Sequence, residues 1–161
     1  DILIEAFKIF QKRYPHYRLF LYGDGADTQR IKSIVKENEL EESVLLPGNS
    51  TDVINDLLKH KIFAFPCDYE GMPNALMEAM SVGMPVISTD WSPKGGVSTL
   101  INNLENGIIV PRRDPEALAE ALCLLASDTA LMVRMGTNAR ESMKNFSPEK
   151  IAAMWKEVFE V

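Results

Sequence analysis

Two glutamates, Glu70 and Glu78, stand eight residues apart in the stretch Asp68-Tyr69-Glu70-Gly71-Met72-Pro73-Asn74-Ala75-Leu76-Met77-Glu78-Ala79-Met80. Gly71 and Pro73 mark a loop, and the apolar run after Pro73 predicts a helix, so Glu70 precedes the helix and Glu78 lies inside it. The first N–H groups of that helix, at Asn74, Ala75 and Leu76, have no carbonyl one turn behind them and face the loop. Such an end carries partial positive charge and attracts an anion, and a diphosphate is the natural guest. Carboxylates on either side of it can accept hydrogen bonds from hydroxyl groups. A sugar diphosphate nucleotide suits this layout, with phosphates on the helix end and hydroxyls on the acids. The plain alternative is a solvated loop glutamate and a surface helix glutamate. Against it, Glu78 is bracketed by Ala75, Leu76, Ala79 and Met80. A helix apolar all round is expected to be buried, and a buried carboxylate requires a partner.

The elements that must hold these residues can be read along the chain. Ile2, Ala6, Ile9 and Phe10 recur at helical spacing from the first residues, and Tyr14-Pro15 stops that helix. Natural proteins seldom begin inside a helix, so the chain reads as cut from something longer. Arg18 to Tyr22 predicts a buried strand, turned by Gly23-Asp24-Gly25 into a helix from about Thr28 to Asn38. A short strand Val44-Leu45-Leu46 ends at Pro47-Gly48, and Asp52 to Lys59 is helical. Ile62 to Phe65 is a third strand ended by Pro66, Asn74 to Val82 a helix, Pro85 to Ser88 a fourth strand and Gly107 to Val110 a fifth. Beyond Pro111 the chain reads as wholly helical. Asp114-Pro115-Glu116 and Ser147-Pro148-Glu149 are helix starts, and the last helix carries Ile151, Met154, Trp155, Val158 and Phe159. Strands alternating with helices predict an α/β fold, a Rossmann-like parallel sheet flanked by helices with a helical C-terminal extension. Such sheets bind ligands at the carboxyl ends of their strands. That directs attention to the loops Gly23 to Asp27, Pro66 to Asn74 and Thr89 to Val97.

Composition agrees with one globular domain: 161 residues, 46% hydrophobic and 25% charged. A formal net charge of -6 argues against a nucleic-acid partner. Cys67 and Cys123 make neither a metal spacing nor a disulfide framework, so a reducing cytoplasm is the expectation. No metal site is expected. No signal peptide or membrane-spanning run is apparent.

Glu70-Gly71-Met72-Pro73-Asn74-Ala75-Leu76-Met77-Glu78-Ala79-Met80, followed by Gly83-Met84-Pro85-Val86-Ile87, resembles the two-glutamate segment of family-four retaining glycosyltransferases. The resemblance continues upstream through Phe20 to Gly25 and Val44 to Gly48. Downstream it runs through Thr89-Asp90, Gly95-Gly96, Glu105-Asn106-Gly107, Val110-Pro111 and Asp114 to Ala119. It implies the GT-B architecture, two Rossmann-like domains around a cleft, with residues 1–161 as the C-terminal donor-binding half. It implies Glu70 as the catalytic-site acid on the transferred sugar and Glu78 on the ribose. Backbone groups of Gly71, Met72, Pro73, Asn74 and Ala75 would cradle sugar and phosphates. Leu46, Pro47 and Gly48 would line the base pocket, with Gly23 and Gly25 beside it. No cofactor is implied; the donor would be a nucleoside-diphosphate sugar, first of all a UDP-sugar, and no metal takes part. The implied partners are the acceptor domain of the same chain and a saccharide or lipid-linked acceptor. The implied setting is bacterial surface-polysaccharide or glycolipid synthesis, in the cytoplasm or peripheral on the inner face of the membrane. Two departures stand out. The Arg and Lys that the family places on the diphosphate come from a loop that would precede Asp1, and Thr99 stands where the family often has Glu.

Other signals point less sharply. Gly23-Asp24-Gly25 continues to Thr28 where a dinucleotide fingerprint wants Gly. Lys94 beside Gly95-Gly96 could approach an anion. Arg112-Arg113 reads as solvated charge before lipid contact, and neither His16 nor His60 is given a catalytic role. The rival functions are a non-hydrolysing sugar-nucleotide epimerase, which would need a catalytic His here, and a phosphoacceptor receiver domain with Asp68 as the acceptor.

Overall fold

The structure, a computed structural model, describes residues 1–68, 70–89 and 96–159. Helix α1 (Ile2–Gln11) buries Ile4, Ala6, Phe7 and Phe10, the face its sequence spacing marks out. It stops where Phe10 stacks on Tyr14, with ring centroids 5.0 Å apart, and meets Tyr17 edge-on at 5.2 Å. The chain then alternates β1 (Leu19–Tyr22), α2 (Thr28–Glu37), β2 (Val44–Gly48), α3 (Val53–Leu57), β3 (Phe63–Phe65), α4 (Asn74–Ser81) and β4 (Val86–Thr89). Next come α5 (Val97–Leu100), β5 (Ile108–Val110), α6 (Pro115–Ser127), α7 (Thr129–Met143), a 3-10 turn (Lys144–Phe146) and α8 (Pro148–Phe159).

Among the described residues every strand pairing is parallel, as a strand–helix–strand alternation requires. Among the described residues the strands form two parallel sheets flanked by helices, in keeping with the Rossmann-like α/β fold the sequence predicts. β1 pairs with β2, while β4 lies between β3 and β5. β1 and β3 do not pair, because a cavity lined by both separates them. Each of Val86, Ile87, Ser88 and Thr89 in β4 is buried, the mark of a strand covered on both faces.

Three helix starts are capped by an aspartate, of which the sequence named Asp114 alone as a start. Asp114 accepts from the Ala117 N–H at 2.9 Å with Pro115 in the first turn, and Asp128 accepts from the Leu131 N–H at 2.8 Å. Asp52 caps α3 by accepting from Asn55 N–H at 3.3 Å, so it stands before the helix rather than within it. β2 runs through Pro47 and Gly48 where the sequence suggested an end. Pro47 is exposed, and among the described residues β2 is paired to β1 alone, so a residue without an N–H is tolerated there. α7 packs against α4 through a glycine contact, Gly136 lying on the Gly83 carbonyl.

Candidate functional site

The loop after β3 is fixed at its base by the end of β4 and by the loop after β5. Cys67 N–H donates to Thr89 Oγ1 at 2.9 Å, and the Thr89 hydroxyl donates to the Cys67 carbonyl at 2.6 Å. One residue on, the Asp68 carboxylate accepts from Arg113 Nε at 3.1 Å and Nη2 at 2.8 Å. Arg113 reaches it from the loop after β5, with a left-handed φ of 57°. The Arg113 hydrogen bond and charge hold the Asp68 carboxyl below its usual range. Arg113 is therefore exposed, as the sequence suggested, and also paired. With Arg112 it lines a surface cavity of about 420 Å3.

From that anchored base the chain runs through Glu70, which is half-buried, and exposed Gly71 and Met72 to Pro73, which is buried. Pro73 has extended backbone angles and precedes α4 with no side-chain cap. The first helical bond goes from Met77 N–H to the Pro73 carbonyl at 3.1 Å. The N–H groups of Asn74, Ala75 and Leu76 thus lie before the helical ladder, and Asn74 and Ala75 are exposed. An anion can approach them directly.

The expectation that α4 is apolar all round is corrected by its exposure. Leu76, Ala79 and Met80 are fully buried, but Asn74, Ala75 and Ser81 are exposed and Glu78 is half-buried. Glu78 therefore does not sit in an apolar interior needing a built-in partner. It opens, with Ala75 one turn earlier and Gly23 from the end of β1, onto a cavity of about 890 Å3. That is the volume class of a small-molecule site.

The second loop joins the first by backbone. Gly23 N–H donates to the Gly48 carbonyl at 2.8 Å. Both glycines have positive φ, 125° and 82°, which side-chain-bearing residues rarely adopt. Asp24 then closes the turn, accepting from the Gly25 N–H and the Thr28 hydroxyl, each at 2.9 Å. Gly25 and Pro47 are exposed, and Leu46 and Gly48 are half-buried. Thr99, exposed on α5, donates its hydroxyl to the Gly96 carbonyl at 2.7 Å. Asp90, Lys94 and Gly95, which the sequence reading also named, lie outside the described residues.

Sequence reasoning gave no role to one group that lines the same cavity. His60 Nε2 lies 3.0 Å from the Tyr22 hydroxyl, and its ring centroid is 4.6 Å from that of Phe20. Burial lowers the His60 pKa from its ordinary value. The two partners are 38 residues apart, so no local pattern could have joined them. Among the described residues, no cluster of three His, Cys, Asp or Glu side chains is placed to hold a metal ion. No helix among them is long and apolar enough to cross a membrane.

Comparison with known proteins bears on this geometry. The family model described as glycosyl transferases group 1 matches residues 1–142. An uncharacterized glycosyltransferase of Haemophilus influenzae is 29% identical over 156 residues, covering 97% of this chain and 44% of the relative. A poly(ribitol-phosphate) alpha-N-acetylglucosaminyltransferase of Staphylococcus aureus is 28% identical over 160 residues, covering 99% of this chain and 32% of that one. Among solved structures, a variant of S. aureus TarM in complex with Fondaparinux, alpha-GlcNAc-glycerol and UDP superposes with a TM-score of 0.93 at 27% identity. It matches 100% of this chain and 32% of its own. The chain thus spans less than half the length of these relatives. The parallel α/β frame, the two glutamates in the loop and helix that follow β3 and the match over residues 1–142 lead to one conclusion: the chain belongs to the glycosyl transferases group 1 family.

Proposed function

We propose that this chain is the donor-binding half of a retaining, metal-independent hexosyltransferase whose donor is a nucleoside-diphosphate sugar, first of all a UDP-sugar. The observation that carries the reading is the uncapped N-terminus of α4, set between Glu70 and Glu78 where the chain leaves β3. The exposed N–H groups at Asn74 and Ala75 receive the diphosphate, with Gly71, Met72 and Pro73 shaping the approach. Glu78, facing the cavity with Ala75 and Gly23, accepts from the ribose hydroxyls. Glu70, on the loop side of the helix end, accepts from hydroxyls of the transferred sugar. The Leu46-Pro47-Gly48 segment and Gly25 border the base. As the diphosphate leaves, negative charge grows on the phosphate at the helix end, which is where fixed dipoles stabilise it most.

The acceptor is a saccharide or lipid-linked glycan held by a further domain of the full-length protein, in bacterial surface-polysaccharide, glycolipid or teichoic-acid assembly at the cytoplasmic face of the membrane. Relatives named for poly(ribitol-phosphate) glycosylation and colanic acid biosynthesis, and a structural neighbour crystallised with UDP, support that setting.

Thermal shift of the full-length protein against nucleoside diphosphates tests the reading. A ligand at a hundred times its Kd adds about 2.7 kcal/mol of stability, which raises Tm by roughly 5–11 °C for a domain of this size. UDP is expected to give the largest shift. No shift with any nucleoside diphosphate would refute the donor site. The 161-residue chain alone is expected to transfer no sugar, because positioning of the acceptor is missing.

A further inference from the structure

The carboxyl end of β4 breaks the pattern of the strand it finishes. β4 is covered on both faces, and a strand so placed reads as apolar throughout. Val86 and Ile87 conform, whereas Ser88 and Thr89 carry hydroxyls into the interior, where both are buried. Valine has almost the shape of threonine and would fill the same space without a polar atom. A buried hydroxyl costs stability unless it is hydrogen-bonded, so these two must have partners.

Both hydroxyls find partners on the end of β3. The Ser88 hydroxyl donates to the Phe65 carbonyl at 2.9 Å, at the last residue pair of the β3–β4 ladder. Thr89 goes further. Phe63 N–H donates to the Pro85 carbonyl, and every second residue turns the same way, so Phe65 and then Cys67 direct their backbone groups toward β4. At Cys67 a side chain receives them in place of a strand. Thr89 Oγ1 accepts from Cys67 N–H at 2.9 Å, and the Thr89 hydroxyl donates to the Cys67 carbonyl at 2.6 Å. One oxygen thus fixes both polar backbone groups of one residue, and with them the direction in which the chain leaves the sheet.

What leaves the sheet there is the loop of the candidate site. Glu70 stands three residues beyond Cys67, and the N-terminus of α4 follows. The loop's other tie, Asp68 with Arg113, has side chains 54% and 75% exposed, so water and salt weaken it. Thr89 is 3% exposed, and its bonds escape that screening. α4 itself is held separately, by the fully buried Leu76, Ala79 and Met80. Loss of the Thr89 hydroxyl therefore acts on the Glu70 side of the site and spares the helix end.

We propose that Thr89 is a positioning residue of sugar transfer: through the Cys67 backbone its hydroxyl sets the Glu70 loop against the donor, without touching the substrate. The inference rests on the donor-site reading, in which Glu70 accepts from the transferred sugar. Misplacement by about 1 Å can cost on the order of a hundredfold in rate, so a clasp at the root of the loop governs kcat although it acts three residues from the acid.

Steady-state release of UDP by the full-length enzyme, from whichever of UDP-glucose, UDP-galactose and UDP-N-acetylglucosamine it turns over fastest, tests this. Thr89→Val keeps the shape and removes the hydroxyl. It is expected to lower kcat by about tenfold to a hundredfold, with affinity for free UDP nearly unchanged. Thr89→Ser retains the hydroxyl and is expected to keep most of the rate. Because Thr89 acts through Glu70, the double variant of Thr89→Val with Glu70→Gln should be no slower than Glu70→Gln alone. A wild-type kcat in Thr89→Val beside a slow Glu70→Gln overturns this inference and leaves the donor site standing. Losses that multiply in the double variant overturn it too, as does a Thr89→Ser enzyme as slow as Thr89→Val. A wild-type kcat in Glu70→Gln removes the acid from the donor site, and this inference falls with it. If Thr89→Val does not fold, amide exchange of the wild-type protein decides. Cys67 N–H is expected to exchange at least about a hundredfold more slowly than exposed amides, and an exposed rate overturns the clasp.

Discussion

Gly136 of α7 lies directly on the carbonyl oxygen of Gly83, the residue that follows the C-cap of the helix carrying Glu78. A Cβ at position 136 would run into that oxygen and come 3.1 Å from the Gly83 carbonyl carbon, both backbone atoms that cannot swing aside. Gly136→Ala is therefore expected to destabilise by about 1–3 kcal/mol through overpacking. For a domain of this size Tm should fall by roughly 2–4 °C per kcal/mol. Gly83→Ala meets no atom closer than 3.6 Å but must adopt a φ of 85°, so its loss comes from backbone strain instead. Denaturant titration of both variants checks the pair, and an unchanged midpoint for Gly136→Ala would show that the helices separate freely.

Glu78→Ala is expected to weaken nucleoside-diphosphate binding by about 1.5–3 kcal/mol, the worth of hydrogen bonds to a charged group. Glu78 is half-buried and its side is open to the cavity, so its removal leaves no buried orphan and the fold should persist. Calorimetry on the full-length protein gives the answer. Equal affinity in the two proteins would remove Glu78 from the ribose.

Glu70→Gln separates the sugar from the nucleotide. Turnover by the full-length enzyme should drop while affinity for free UDP stays nearly unchanged, since the residue lies on the loop side of the α4 terminus. A wild-type transfer rate would take Glu70 out of the site.

The Asp68–Arg113 pair predicts an acid-side effect. Arg113 lowers the folded-state pKa of Asp68, so the pair's stabilisation is complete above the unfolded value and is lost as pH falls through the folded one. Both side chains are exposed, at 54% and 75%, so the loss should be small and reduced by salt. In Arg113→Ala the Asp68 carboxyl should titrate closer to the usual value of about 3.9. Carboxyl-carbon NMR titration of both proteins measures this, and identical curves would mean that the pair does not form.

Much of the fold was legible because its signals are local. Asp114 with Pro115, and the apolar runs of β4 and β5, marked their elements within a residue or two. α5 was missed because four residues, Val97 to Leu100, are too few to show a period. The break between β1 and β3 was invisible because sequence order does not state which strands adjoin. For the site, Glu70 and the Pro73 helix start were readable from residue types. The burial of Glu78 was overestimated because bracketing by Ala75, Leu76, Ala79 and Met80 counts as apolar, although Ala75 is exposed. Arg113, 45 residues from Asp68, gave no sign of the contact.

Helix α8 is twelve residues long and buries none of them, while Met154, Trp155, Val158 and Phe159 are 57–75% exposed. A helix of that length without tertiary support sits near the midpoint of its own helix–coil transition in water. The stacking of Trp155 on Phe159, at 5.6 Å, and the Ser147 hydroxyl accepting from Lys150 N–H add modest local support. Its helical order in this chain is therefore set by solution conditions, rising at low temperature, rather than by the core. Covering its apolar stripe would add the tertiary contacts that the described residues do not supply, and so fix the helix at the C-terminal end of the domain.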